Sequence, residues 1–134
     1  MTPPFLCVFV AFLLHMGTKI PVGFAQARLR GGYDNRFPRD QQATLSGWGR
    51  RALAAHHNTL EAFPPFAAAV LVCHAAGGDA DWAARLSVGF VVARIAYPLV
   101  YIGDLPTLRS AIWGAGAACN AALFLLPMFG SAGL

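Results

Sequence analysis

Charge is what this sequence has least of. Only 12% of its 134 residues are charged, whereas soluble domains carry about a quarter. Acidic residues number six, against ten basic ones. With 57% hydrophobic residues and a mean hydropathy of +0.52, this scarcity excludes a soluble domain with an ordinary solvated surface. Paired cysteines are missing as well. Cys7, Cys73 and Cys119 lie far apart, each inside an apolar run, with no CxxC or Cys/His spacing. That pattern excludes a zinc site and a disulfide framework, and leaves the three as small packing residues. The length leaves room for one domain, residues 1–134.

The charges that are present come in clusters. Lys19, Arg28, Arg30, Arg36, Arg39, Arg50 and Arg51 account for most of the basic residues, and the runs between clusters are nearly uncharged. Only lipid accommodates such runs. A net charge of +4 and a pI near 9.4 could suggest nucleic acid. The basic residues flank apolar segments, however, where they act as headgroup anchors, so no nucleic-acid partner is expected.

Four helices are predicted, at about 3–27, 48–76, 82–102 and 110–129, giving an all-α fold, a four-helix transmembrane bundle. The first lacks a basic n-region and its apolar run exceeds that of a signal peptide. It is read as a retained helix, although Ala25-Gln26-Ala27 resembles a cleavage site. His15, Thr18 and Lys19 lie near its inner end. The polar stretch 28–47 carries four arginines, with Arg50 and Arg51 just beyond it, together with turn-forming Gly, Asp34-Asn35 and Pro signals. By the positive-inside rule it faces the cytoplasm and both termini face the opposite side. In the second helix the apolar part, 62–76, is too short to span, so the span includes the polar stretch RRALAAHHNTLE. Pro64-Pro65 predicts a kink or a break there. The fourth helix has no charge, and Gly114, Gly116 and several alanines allow close packing.

Arg94, near the centre of the third helix, requires an explanation. A charge at that depth costs on the order of 3 kcal/mol. Tyr97 and Tyr101 lie on the same helix face and extend a polar stripe. On the second helix Arg50, Arg51, Ala54, His57, Asn58 and Glu61 share one sector, and His56 points to the other side. Two readings follow. Glu61 and Arg94 form a buried ion pair that holds the bundle, or the surplus of Arg51, Arg94 and Arg109 over one carboxylate serves an anionic ligand.

The segment RALAAHHNTLEAFPPF, Arg51 to Phe66, resembles the signature of the MAPEG family, the membrane-associated proteins in eicosanoid and glutathione metabolism. Arg94, Tyr97 and Tyr101 match the spacing of that family's ligand-contacting stripe. Arg109-Ser110 matches the start of its fourth helix, and GYDNRFPR resembles the first loop of bacterial members. The resemblance covers essentially the whole chain. It implies a left-handed bundle in a homotrimer, an inner-membrane location in a bacterium, and glutathione bound between subunits. It further implies glutathione contacts at Arg51, His57, Asn58, Glu61, Arg94, Tyr97 and Tyr101, with Arg109 and Ser110 holding or activating the thiol, and no metal. Hydrophobic small molecules or lipids are the implied substrates of such a transferase or peroxidase. The alternative is a non-catalytic membrane scaffold, lipid-binding or accessory to another protein, with the same fold. The chain departs from the family pattern where Arg50-Arg51 replaces Glu-Arg, Ala54 replaces an arginine, and His57 takes a frequently basic position. His57 restores that charge only when protonated.

Overall fold

Proline punctuates every long segment of this chain, at the start of three helices and inside four. The computed structural model describes residues 1–130; residues 131–134, the end of the expected domain, lie outside the described residues. Helix α1 spans Pro3–Gly17, α2 Lys19–Ala27, α3 Pro38–Ala43, α4 Gly47–Ala75, α5 Ala80–Ile102 and α6 Pro106–Gly130. No strand occurs among the described residues. Three stretches, Pro3–Ala27, Ala80–Ile102 and Pro106–Phe129, are long and apolar enough to cross a membrane. At 1.5 Å per residue each reaches beyond ~30 Å, the thickness of the hydrocarbon layer.

The expected first helix is divided at Thr18 into α1 and α2. Pro21 explains the division: it cannot donate to the carbonyl of Gly17, and its ring crowds that carbonyl. The Thr18 hydroxyl donates instead to the His15 carbonyl at 3.0 Å. In α4, Pro64 and Pro65 cause no break, and the helix runs 29 residues through them. Helix α6 begins at Pro106, four residues before the expected start. Proline at the first turn of a helix loses no hydrogen bond, so the short loop becomes the first turn.

The arginine-rich loop is also more ordered than its composition suggests. Gly31 and Gly32 adopt positive φ, 92° and 78°, which glycine does without strain. The Asp34 carboxylate accepts hydrogen bonds from the backbone N–H of Arg36 and Phe37, at 2.8 and 3.0 Å. Gln41 donates to the Gly32 carbonyl and accepts from the Asp34 N–H and the buried Gln26 amide. These bonds pin the loop and α3 onto α2. Arg28, Arg30, Arg36, Arg39 and Arg50 remain exposed around it.

Two apolar clusters fill the interior. The larger joins Cys7 and Ala11 of α1 to Phe66, Ala69, Val70 and Cys73 of α4, Phe90 of α5 and Leu123 of α6. Phe66 and Phe90 stack with ring centroids 3.9 Å apart. The smaller cluster, at the arginine-rich end, holds Val22, Ala25, Leu45 and Ala52. Gly49 permits this contact, since a Cβ there would lie 2.9 Å from that of Ala25.

Helix α5 shows the solvent the fold is built for. Its buried face includes Ser87, Arg94 and Tyr97, whereas Val88, Val92, Ile95 and Leu99 form an exposed aliphatic stripe at i, i+4, i+7, i+11. Polar groups inward and aliphatic groups outward is the reverse of a water-soluble helix and suits a bilayer.

Candidate functional site

The polar face of α5 and the sector of α4 that begins at Asn58 meet around Arg94. Arg94 is only 5% exposed. Its two terminal nitrogens donate to Asn58 Oδ1 at 2.9 Å and to Thr59 Oγ1 at 3.1 Å, and its guanidinium lies 4.4 Å from the Tyr97 ring centroid. Its Nε is buried and donates to nothing. The ion pair with Glu61, one of the two readings of Arg94, does not form. Among the described residues no carboxylate lies within ion-pair distance of Arg94, and Glu61 is exposed. The physical reason is competition: the neutral oxygens of Asn58 and Thr59, three and two residues before Glu61, occupy the guanidinium first. Arg94 is therefore a buried cation held by neutral acceptors and a ring face, and burying such an ion costs several kcal/mol unless its charge is answered.

The side chains around it form a cavity of about 290 Å³, open on one side, between α4, α5 and α6. Asn58 and Glu61 form its wall on α4, Phe90 and Arg94 on α5, and Trp113, Gly116, Ala117 and Asn120 on α6. The α6 residues recur at i, i+3, i+4, i+7, so one face of that helix lines the cavity. Gly116 faces α5, where an added Cβ would meet that of Ala93 at 3.6 Å, an ordinary contact.

From Arg94 a stack of rings and cations runs toward the arginine-rich end. Tyr97 and Tyr101 meet edge to face at 5.7 Å, and the Arg109 guanidinium lies 4.5 Å from the Tyr101 centroid. Such contacts hold a cation in place at about 0.5–1 kcal/mol each where exposed, more where water is excluded. Arg51 donates from Nε to the Ile102 carbonyl at 3.0 Å, closing one of the open carbonyls at the end of α5.

Of the nine residues singled out in the sequence, Asn58, Glu61 and Arg94 share the cavity, and Tyr97, Tyr101 and Arg109 continue from it in one stack. Arg51 is tied to the end of α5. His57 is exposed, with its ring 6.1 Å from that of His56, and Ser110 is exposed in the second turn of α6. His56 faces α1, where its Nδ1 lies 3.0 Å from Thr18 Oγ1 and its ring stacks on His15 at 5.7 Å. Among the described residues no group of three or more His, Cys, Asp or Glu is placed to hold a metal.

Three cavity or contact residues escaped the sequence reading. Thr59 is a small β-branched residue with no charge to mark it. Trp113 looks like ordinary membrane-facing apolar surface. Asn120 carried a readable signal, an amide inside an otherwise apolar run, passed over because α6 has no charge beyond Arg109. Its carbonyl oxygen is buried and unpartnered, an arrangement that costs about 1–3 kcal/mol.

A family model of the MAPEG family matches residues 4–129, nearly the whole chain. No curated protein and no solved structure matches it significantly.

Proposed function

The chain belongs to the MAPEG family, and from that premise we propose that it is a glutathione-dependent transferase or peroxidase acting on hydrophobic electrophiles within the bilayer. In this reading α4 crosses the membrane beside α1–α2, α5 and α6, completing a four-helix transmembrane bundle, and three copies associate so that their polar faces avoid lipid. The loop 28–47 lies in the cytoplasm, and a bacterial inner membrane is the proposed location.

The observation that carries the reading is Arg94. It is buried, answered by no carboxylate among the described residues, and set in a cavity wall beside an exposed Glu61. Glutathione has two carboxylates, one amino group and a thiol, and the residues present fit that set. Arg94 binds a carboxylate, Glu61 receives the amino group, and Asn58 and Tyr97 orient the peptide. Arg109, at the far end of the stack, favours the ionised thiol, since a neighbouring cation lowers a thiol's pKa. Ser110, one residue on, supplies a hydroxyl at the same end. Bound glutathione supplies a thiolate that displaces a leaving group from the electrophile, which enters laterally from lipid.

A second reading, a non-catalytic membrane scaffold, draws support from Arg51. Its guanidinium nitrogen is engaged by the Ile102 carbonyl, and Ala54 supplies no charge beside it. Conjugation of glutathione to 1-chloro-2,4-dinitrobenzene, followed by absorbance in detergent, separates the two. The transferase reading predicts turnover that falls by at least tenfold in Arg109→Ala while thermal stability drops by no more than about 1 kcal/mol, the worth of the lost ring contact. Absence of turnover in the wild type, with no stabilisation by glutathione, favours the scaffold.

A further inference from the structure

The deep end of the cavity holds a polar group that neither the fold nor the proposed chemistry uses. Asn120 lies near the middle of α6, eleven residues beyond Arg109, or ~16 Å along the helix axis. Ala62 and Pro65 of α4, Phe90 of α5, and Gly116 and Ala117 of its own helix supply the apolar part of the cavity lining, beside the polar Asn58, Glu61 and Arg94. An asparagine at such depth ordinarily bridges two helices through its amide. This one does not: its Oδ1 is buried without a partner among the described residues. Rotation about the last side-chain bond exchanges its carbonyl and its NH₂, so the amide can answer either a donor or an acceptor. A hydroxyl is both.

We propose that Asn120 makes the deep end of this cavity a polar subsite, and that the hydrophobic molecule taken there carries a hydroxyl-class group. That group would lie ~16 Å along α6 from Arg109. The inference rests on the proposed function, in which a hydrophobic molecule enters from lipid beside the residues assigned to glutathione, and it places that molecule against the α6 wall of the same cavity. It selects amphiphiles polar at both ends over simple hydrocarbons. A purely apolar chain in this site leaves the amide unanswered, whereas a hydroxylated chain of the same length satisfies it, and sites with an unpaired polar group discriminate strongly on that basis.

Trp113 lines the same cavity and gives a readout independent of turnover. With Trp48→Phe and Trp82→Phe it is the one tryptophan left of three. In phosphatidylcholine nanodiscs its fluorescence is titrated with methyl dodecanoate and methyl 12-hydroxydodecanoate, and Asn120→Leu serves as the control for partitioning into lipid. We expect the hydroxylated ester to bind about tenfold tighter relative to its partner in the wild-type background than in Asn120→Leu, the effect of one hydrogen bond of about 1.4 kcal/mol. Equal ratios in the two proteins overturn the proposal. So does dissociation of an oligomer in Asn120→Leu by native mass spectrometry with no hydroxyl preference in the parent, because Asn120 then pairs between copies. Glutathione stabilisation is measured on the same samples. Its absence beside a retained hydroxyl preference removes the transferase reading and leaves the subsite standing.

Discussion

Arg94 is the residue whose partners decide between architecture and ligand. Were it paired to Glu61, removing it would strand a buried carboxylate at about 3–5 kcal/mol. The structure gives it Asn58 and Thr59 instead. Thr59 keeps a second bond, donated from its hydroxyl to the Ala55 carbonyl at 2.9 Å, and Asn58 is only half-buried. Arg94→Leu should therefore change unfolding free energy in detergent by about 1 kcal/mol, one ordinary hydrogen bond. A loss of 4 kcal/mol would restore the ion pair. The sequence carried the polar stripe Arg94, Tyr97, Tyr101 legibly because helical spacing alone fixes it. It did not carry the partner, since Asn58, Thr59 and Glu61 all fall within reach of a long arginine, and only packing chooses among them.

At the scale of elements, hydropathy located the three apolar segments and turn chemistry located the loop. Boundaries were legible wherever a single residue type sets them. Pro106 at the start of α6 and Pro21 beyond the α1–α2 junction are such signals, and both shift the element ends from those expected from apolar runs alone. The order of the loop was not legible, because it depends on Gln26, Asp34 and Gln41 meeting across the chain. Close helix approach was visible as a richness in small residues, but not which glycine matters. Gly49→Ala should destabilise by about 1–3 kcal/mol, as overpacking against Ala25 does. Gly23→Ala, with nothing within 4 Å of the new methyl, should be neutral or stabilise by up to about 1 kcal/mol. Urea unfolding of the two variants in one detergent checks the pair, and equal effects would contradict the packing of α2 on α4.

For the whole molecule, the uneven distribution of arginine is the basis of the proposed orientation. Arg28, Arg30, Arg36, Arg39 and Arg50 are exposed around an ordered loop, and the opposite end carries Asp79 and Asp81. Alkaline phosphatase fused at the C-terminus should be active in a bacterial host, and a fusion within the loop near Asp40 should be silent. The reverse pattern would invert the proposed topology while leaving the helices unchanged.

The ring-and-cation stack lies toward the arginine-rich end, next to the cavity around Arg94. One measurement tests whether that arrangement exists to hold glutathione, namely thermal unfolding of the detergent-solubilised protein with increasing glutathione, beside Arg94→Leu. At 100 times its dissociation constant a ligand stabilises its folded target by about 2.7 kcal/mol. The account predicts that shift in the wild type and its loss in Arg94→Leu, a variant expected to remain folded. Equal stabilisation of both proteins, or of neither, would contradict it.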